Sequence, residues 1–205
     1  MNTHYLIVLV LGCAAVTSNI ASGADSTADH ASVTRNVQTC GTCHGEQGQS
    51  VAPTFPNLAA QSAPYIEVQL KAFKDQTRGD PDAQAYMWGM ASQLSDVEIT
   101  DLAAYYAKQP PAPGKSGKPA LVASGKHVFE EGVPALQIPA CASCHGSKGE
   151  GMASFPRLAG QHAPYLLKQL LVIQNALRNA PVMHGVVKDL TKAQMLAVAT
   201  YLESI

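Results

Sequence analysis

Cys40-Gly41-Thr42-Cys43-His44-Gly45 and Cys141-Ala142-Ser143-Cys144-His145-Gly146 decide the reading of this chain. On a helical turn, residues three and four apart share a face. Two thiols and the following imidazole therefore present themselves to one side. That is the attachment pattern of c-type haem, in which the thiols add to the two vinyl groups and the histidine reaches the iron. A zinc ribbon also pairs Cys-x-x-Cys, but its pairs lie roughly 15–20 residues apart. Here they sit in different halves of the chain. A thioredoxin-like pair wants a βαβ setting, and the flanking sequence shows none.

Outward from each motif the same blocks recur in the same order. Phe55-Pro56-Asn57-Leu58-Ala59 matches Phe155-Pro156-Arg157-Leu158-Ala159. Gln61, Ala63-Pro64-Tyr65 and Gln69-Leu70 match Gln161, Ala163-Pro164-Tyr165 and Gln169-Leu170. Met87-Trp88-Gly89 then matches Met183-His184-Gly185. Two copies are too few for a solenoid, so the chain reads as a duplicated domain. Between the copies, Gln109-Pro110-Pro111-Ala112-Pro113-Gly114 through Pro119 reads as a semi-rigid, exposed linker. The boundaries are residues 25–109 for the first domain, 110–119 for the linker and 120–205 for the second.

The elements read as helices. Ser95-Asp96-Val97-Glu98 is a capping-box pattern, followed by Ile99, Leu102, Ala103 and Tyr106 on one face. Thr191-Lys192-Ala193-Gln194 repeats it ahead of Met195, Val198, Ala199 and Leu202. Pro64 and Pro164 suit a first helical turn, where no amide donor is lost. β-branched alternation is scarce. The fold class expected is all-α.

Residues 1–24 read as an export signal. Tyr5–Val16 is apolar but too short to span a bilayer, and Ser22-Gly23-Ala24 suits cleavage. The start lacks Lys and Arg, which departs from the pattern. Of the five cysteines, Cys13 lies in this signal and the other four all belong to the motifs. No structural disulfide remains, so thioether bonds would staple two small domains.

A sixth iron ligand must come from a histidine or a methionine. His30, His127, His162 and His184 have no histidine at the equivalent place in the other copy. Met87 and Met183 do recur, in matching Met-x-Gly blocks. They are the candidate axial ligands, and His/Met ligation raises the potential relative to bis-His. Met90 is the weaker rival in the first copy, and Met152 and Met195 read as packing. Pro56 and Pro156 are candidates to orient the motif histidines through a backbone carbonyl, with a plain turn role as the alternative.

Taken together, these motifs resemble the dihaem cytochrome c4 family over nearly the whole mature chain. The resemblance implies two tandem class I cytochrome c domains packed together, with two covalently bound haem c groups. It implies Cys40, Cys43, Cys141 and Cys144 as attachment residues, and His44, Met87, His145 and Met183 as iron ligands. It also implies periplasmic electron transfer between respiratory partners, such as a quinol-oxidising complex and a terminal oxidase. Loose membrane association and oligomeric state stay open.

Residues 25–110 hold five basic and ten acidic side chains; residues 111–205 hold nine basic and five acidic. Such asymmetry would orient the molecule on two partners. Nothing suggests nucleic acid, since no basic patch interleaves with aromatics. Rival readings are a dihaem subunit of a flavoprotein dehydrogenase of the sulfide dehydrogenase type and, behind it, a haem enzyme. An enzyme needs an open or displaceable iron position, which two methionine ligands would close. The reading is an electron carrier, not an enzyme.

Overall fold

A computed structural model describes Met1 and residues 24–205. The expected export signal and Cys13 thus fall outside the described residues, apart from the signal's two ends. The described residues form no β-strand, only isolated bridges at Val133–Ile138 and Met152–Phe155.

In the first half, α1 (Ala24–His44) carries the first motif in its last turns. Gly45, at φ +78°, ends it, and a Cβ there would lie 2.3 Å from the Gln49 carbonyl oxygen. α2 (Ala63–Lys74) starts under Ser62, whose Oγ accepts from the Tyr65 amide, with proline in its first turn. Its Ile66 and Phe73 are buried. A π-turn over Ala83–Met87 leads into α3 (Trp88–Ala91). α4 (Asp96–Ala107) has the capping box that its sequence announces: Ser95 Oγ accepts from the Glu98 amide, and Glu98 accepts from the Ser95 amide. The stripe Ile99, Leu102, Ala103 and Tyr106 is buried.

The second half runs α5 (Pro119–Glu131), α6 (Ala142–His145), α7 (Ala163–Gln174), α8 (Pro181–Val187) and α9 (Lys192–Ser204). The box Thr191/Gln194 caps α9. One difference separates the halves. The motif in α1 continues a long helix, whereas α5 stops at Gly132 (φ +73°) and a loop with a 3₁₀ turn at Pro134–Leu136 intervenes before α6. Pro134 and Pro139 cannot donate helical hydrogen bonds. α5 crosses α9 at Gly125, where a Cβ would sit only 2.0 Å from the Ala197 carbonyl oxygen. α1 has no glycine before Gly41 to permit such an approach.

The linker is more tied down than its composition suggests. Its residues are mostly exposed, but the Lys115 amide donates to the Glu203 carbonyl (2.8 Å) and Gln49 Nε2 donates to the Pro110 carbonyl (3.0 Å). Gly114 lies against the backbone of Ser204. The segment is a strap along α9, and Pro119 already belongs to the first turn of α5.

The halves meet through the repeated blocks, and they meet reciprocally. Gln161 Oε1 accepts from the Asn57 amide (2.8 Å) while Gln161 Nε2 donates to the Asn57 carbonyl (2.9 Å). Gln61 does the same to Arg157, at 2.7 and 3.0 Å. Equivalent side chains thus grip equivalent backbone across a pseudo-twofold axis, as in an isologous dimer. Asn57 Nδ2 adds a bond to the Gly160 carbonyl, and Ser62 Oγ one to the Ala153 carbonyl. At the position matching Ser62, buried His162 places Nε2 2.9 Å from the Ser50 carbonyl.

Candidate functional site

Each site is built from the loop that follows its motif. The Gly48 carbonyl accepts from the Leu58 and Ala59 amides (2.7 and 3.0 Å), and the Gly149 carbonyl accepts from those of Leu158 and Ala159 at the same distances. The Ala60 amide donates to Tyr106 on α4, and the Gly160 amide to Leu202 on α9. The Phe-Pro-x-Leu-Ala block is therefore clamped between the motif loop and the last helix of its half.

That clamp delivers a proline carbonyl to each motif histidine. His44 Nδ1 lies 2.9 Å from the Pro56 oxygen, and His145 Nδ1 lies 3.0 Å from the Pro156 oxygen. A carbonyl only accepts, so Nδ1 carries the proton and Nε2 keeps its lone pair. Both rings are buried, at 7% and 6% exposed. Burial holds both imidazoles below their ordinary pKa, with the proline carbonyl acting the other way. Phe55 and Phe155 meet the rings edge-on, with centroids 6.1 and 6.2 Å away. The orienting role foreseen for Pro56 and Pro156 is thus present in the geometry.

Cys40, Cys43, Cys141 and Cys144 form no disulfide with one another. Burial raises the Cys40 thiol and pushes that of Cys141 up to about 11. Cys40 lines an apolar cluster with Ile66, Leu102, Ala103 and Tyr106. Among the described residues, no three His, Cys, Asp or Glu side chains converge as an ion site, so the thiols do not form a zinc set. The donors do fit haem: two unpaired thiols on one turn, an imidazole with Nε2 left open, and apolar walls. Tyr106 adds to the fit. Its buried hydroxyl, beside the cluster's Cys40, is the buried side-chain polar atom without a hydrogen-bond partner among the described residues.

Met87 ends the π-turn, half-buried against the cluster of Phe73, Ala83 and Ala91. Met183 lies on α8, half-buried against the core of the second half. The rivals lie elsewhere. Met90 is 58% exposed, and Met195 is fully buried within the core. Met152 does not pack as expected: it is 51% exposed, in the turn that bridges to Phe155. His184 places Nδ1 2.9 Å from the Ile173 carbonyl on α7, and exposed His127 pairs with Glu131 one turn along α5. His162 is committed to the junction between the halves.

Sequence reasoning passed over that junction. Gln61 and Gln161, Gln69 and Gln169 were visible as repeats, but nothing in their spacing marked them as contacts. Arg78 and Arg178, which recur in the same way, were not singled out.

A profile of the Cytochrome c family matches residues 33–109 and 122–205. Cytochrome c-552 of Acidithiobacillus ferridurans is 43% identical over 187 residues, covering 90% of this chain and 81% of that one. Cytochrome c4 of Thiocapsa roseopersicina is 41% identical over 172 residues, covering 81% and 86%. The solved cytochrome c4 of Acidithiobacillus ferrooxidans superposes with a TM-score of 0.79 at 44% identity, covering 82% of this chain and 99% of that one.

Proposed function

The chain belongs to the cytochrome c family, within its dihaem cytochrome c4 group, and on that premise we propose that it is a periplasmic carrier passing electrons between respiratory partners. It is a dihaem electron-transfer cytochrome with two covalently bound haem c groups. The residues proposed to hold them are Cys40, Cys43, His44 and Met87 in the first half and Cys141, Cys144, His145 and Met183 in the second. When bound, each haem supplies a one-electron iron centre.

The observation that carries the reading is the matched pair of histidine–proline contacts, His44 on Pro56 and His145 on Pro156. Each fixes the tautomer and the ring plane, and such outer bonds raise the basicity of a metal-binding imidazole. Thioether donors from Met87 and Met183 would close the opposite side and raise the potential. Two closed centres in apolar walls suit a relay rather than a catalyst. The partners are redox proteins of the quinol-oxidising and terminal-oxidase kind. The acidic first half and basic second half would orient the carrier on them.

An optical redox titration of the purified protein with haem quantification tests this. Two haems per chain, with methionine-to-iron charge-transfer absorption, are expected; one haem or none overturns the reading. Electron-transfer rates with a donor and an acceptor should fall as salt rises, and salt-independent rates with both would remove the steering role.

A further inference from the structure

One buried donor in the first half is left unmet. Tyr106, on α4, is 2% exposed, and among the described residues its hydroxyl is the buried side-chain polar atom that no hydrogen bond satisfies. Buried polar groups are nearly always paired, so an orphan needs a reason. Its neighbour Tyr105 shows the ordinary solution: that hydroxyl donates to the Glu46 carbonyl at 3.1 Å. Tyr106 is instead buried in the cluster of Ile66, Leu102 and Ala103, on which Cys40 also packs.

The ring is held in place. The Tyr105 ring meets it edge-on, with centroids 5.0 Å apart. Gly48, at φ +77°, gives it room, since a Cβ there would come within 2.8 Å of Tyr106 Cδ1. Cys40 and the hydroxyl feel each other. Burial raises the Cys40 thiol and the Tyr106 hydroxyl acts against it, while burial and Cys40 both raise the Tyr106 phenol.

The second half has no such donor. Leu202 stands at the matching place, its carbonyl accepting from the Gly160 amide as that of Tyr106 accepts from Ala60. There the Cys141 thiol lies 3.8 Å from the Val128 carbonyl, which can only accept.

Attachment changes what each sulfur can do. The thiol adds across a haem vinyl group, with sulfur bonding to one carbon and the thiol hydrogen to the other, so no oxidant is needed. The thioether that results has no hydrogen to donate and, like that of methionine, is a weak acceptor. For Cys141 this ends any bond to a carbonyl. For Cys40 it creates the acceptor that the orphan hydroxyl lacks.

We propose that the Tyr106 hydroxyl donates a hydrogen bond to the Cys40 thioether sulfur, and that this bond, absent from the second half, raises the potential of the first haem. This rests on the dihaem reading. A donor hydrogen on the sulfur draws electron density from the macrocycle and disfavours the added positive charge of the ferric state.

The test is a redox titration of the holo-protein, with resonance Raman spectra of its carbon–sulfur stretching bands. Tyr106→Phe keeps the ring and removes the hydroxyl. It should lower one midpoint potential, leave the other in place and move one carbon–sulfur band. Tyr106→Leu, which copies the second half, should lower the same midpoint by the same amount although it loses the ring's packing. Exchange into heavy water should shift that band in the parent and not in Tyr106→Phe. Two unchanged midpoints, two lowered midpoints or a raised one in Tyr106→Phe would overturn the proposal. So would a Tyr106→Leu shift unlike that of Tyr106→Phe, which would make packing the cause. A lowered midpoint with an unmoved band would place the hydroxyl on another acceptor and overturn it equally. If neither variant yields a folded holo-protein, the heavy-water shift in the parent decides alone. Fewer than two haems in the parent would instead overturn the dihaem reading.

Discussion

Met87 and Met183 differ from their rivals in surroundings rather than chemistry. Met87 is half-buried against Phe73, Ala83 and Ala91, and Met183 against the core cluster that Cys141 also packs on, whereas Met90 faces solvent and His184 is turned to the Ile173 carbonyl. Replacing either by alanine should remove about half of the methionine charge-transfer absorption and lower one midpoint potential, as expected for lost thioether ligation. Met90→Ala should leave both unchanged. Glu98 offers a second prediction. The Ser95 amide and hydroxyl and Asn36 Nδ2 hold its carboxyl below the usual range. A carboxylate depressed in the folded state stabilises above its unfolded pKa, and that stability is lost as pH falls through the folded value. Glu98→Gln keeps an acceptor for the Ser95 amide, as Gln194 does at α9, so it removes the charge alone. It should melt slightly below the parent at neutral pH, and the gap should close as pH falls below the usual carboxylate range. At this scale the sequence was most informative. The motif cysteines and histidines carry their chemistry in local spacing, and the capping boxes are short-range bonds. The preference for Met183 over His184 came from recurrence between the copies, not from anything local to the two adjacent positions. The structure adds where His184 goes, to a carbonyl of α7, which no pattern in the sequence announces.

Helix crossings test how far backbone contact matters. In an exposed helix, glycine costs about 1 kcal/mol relative to alanine. Gly125 reverses this, because the Ala197 carbonyl oxygen occupies the space a methyl would need. Gly125→Ala should force α5 off α9 and cost roughly 1–3 kcal/mol, the usual range for overpacking. Thermal unfolding reads this as a drop of roughly 4–8 °C per kcal/mol. Gly89→Ala is the control. Nothing lies within 4 Å of its would-be Cβ, so its melting temperature should hold or rise. Elements whose ends are written in caps and prolines were legible beforehand: α2, α4, α7 and α9. Two features were not. The loop before α6 interrupts a helix that is continuous in the first half, and the π-turn before Met87 absorbs a segment longer than that between Arg178 and Met183. Aligning the copies shows that lengths differ but not how the backbone takes up the excess.

Duplication has produced a molecule that binds to itself. Periodicity assigns a face to each helix, but it does not say which surface of one half meets the other. The recurrence of Gln61 and Gln161 was therefore visible while its meaning was not. In the structure each glutamine satisfies both the amide and the carbonyl of one residue in the other half. Removing one leaves a buried polar pair to be met by water or by nothing, at about 1–3 kcal/mol for each unsatisfied group. The halves also differ in what remains without the junction. The second has one continuous core, from Val128 to Leu202, while the first has two smaller clusters. Differential scanning calorimetry of the holo-protein should show one cooperative transition for the parent. The double variant Gln61→Ala/Gln161→Ala should show two, with the first half melting at the lower temperature. Gln93→Ala, an exposed change away from the junction, should behave as the parent. A single transition retained by the double variant at a merely lower temperature would mean that the strap along α9 and the remaining contacts couple the halves without the glutamines. An unchanged melt would mean that their reciprocal bonds contribute nothing to holding the two halves together.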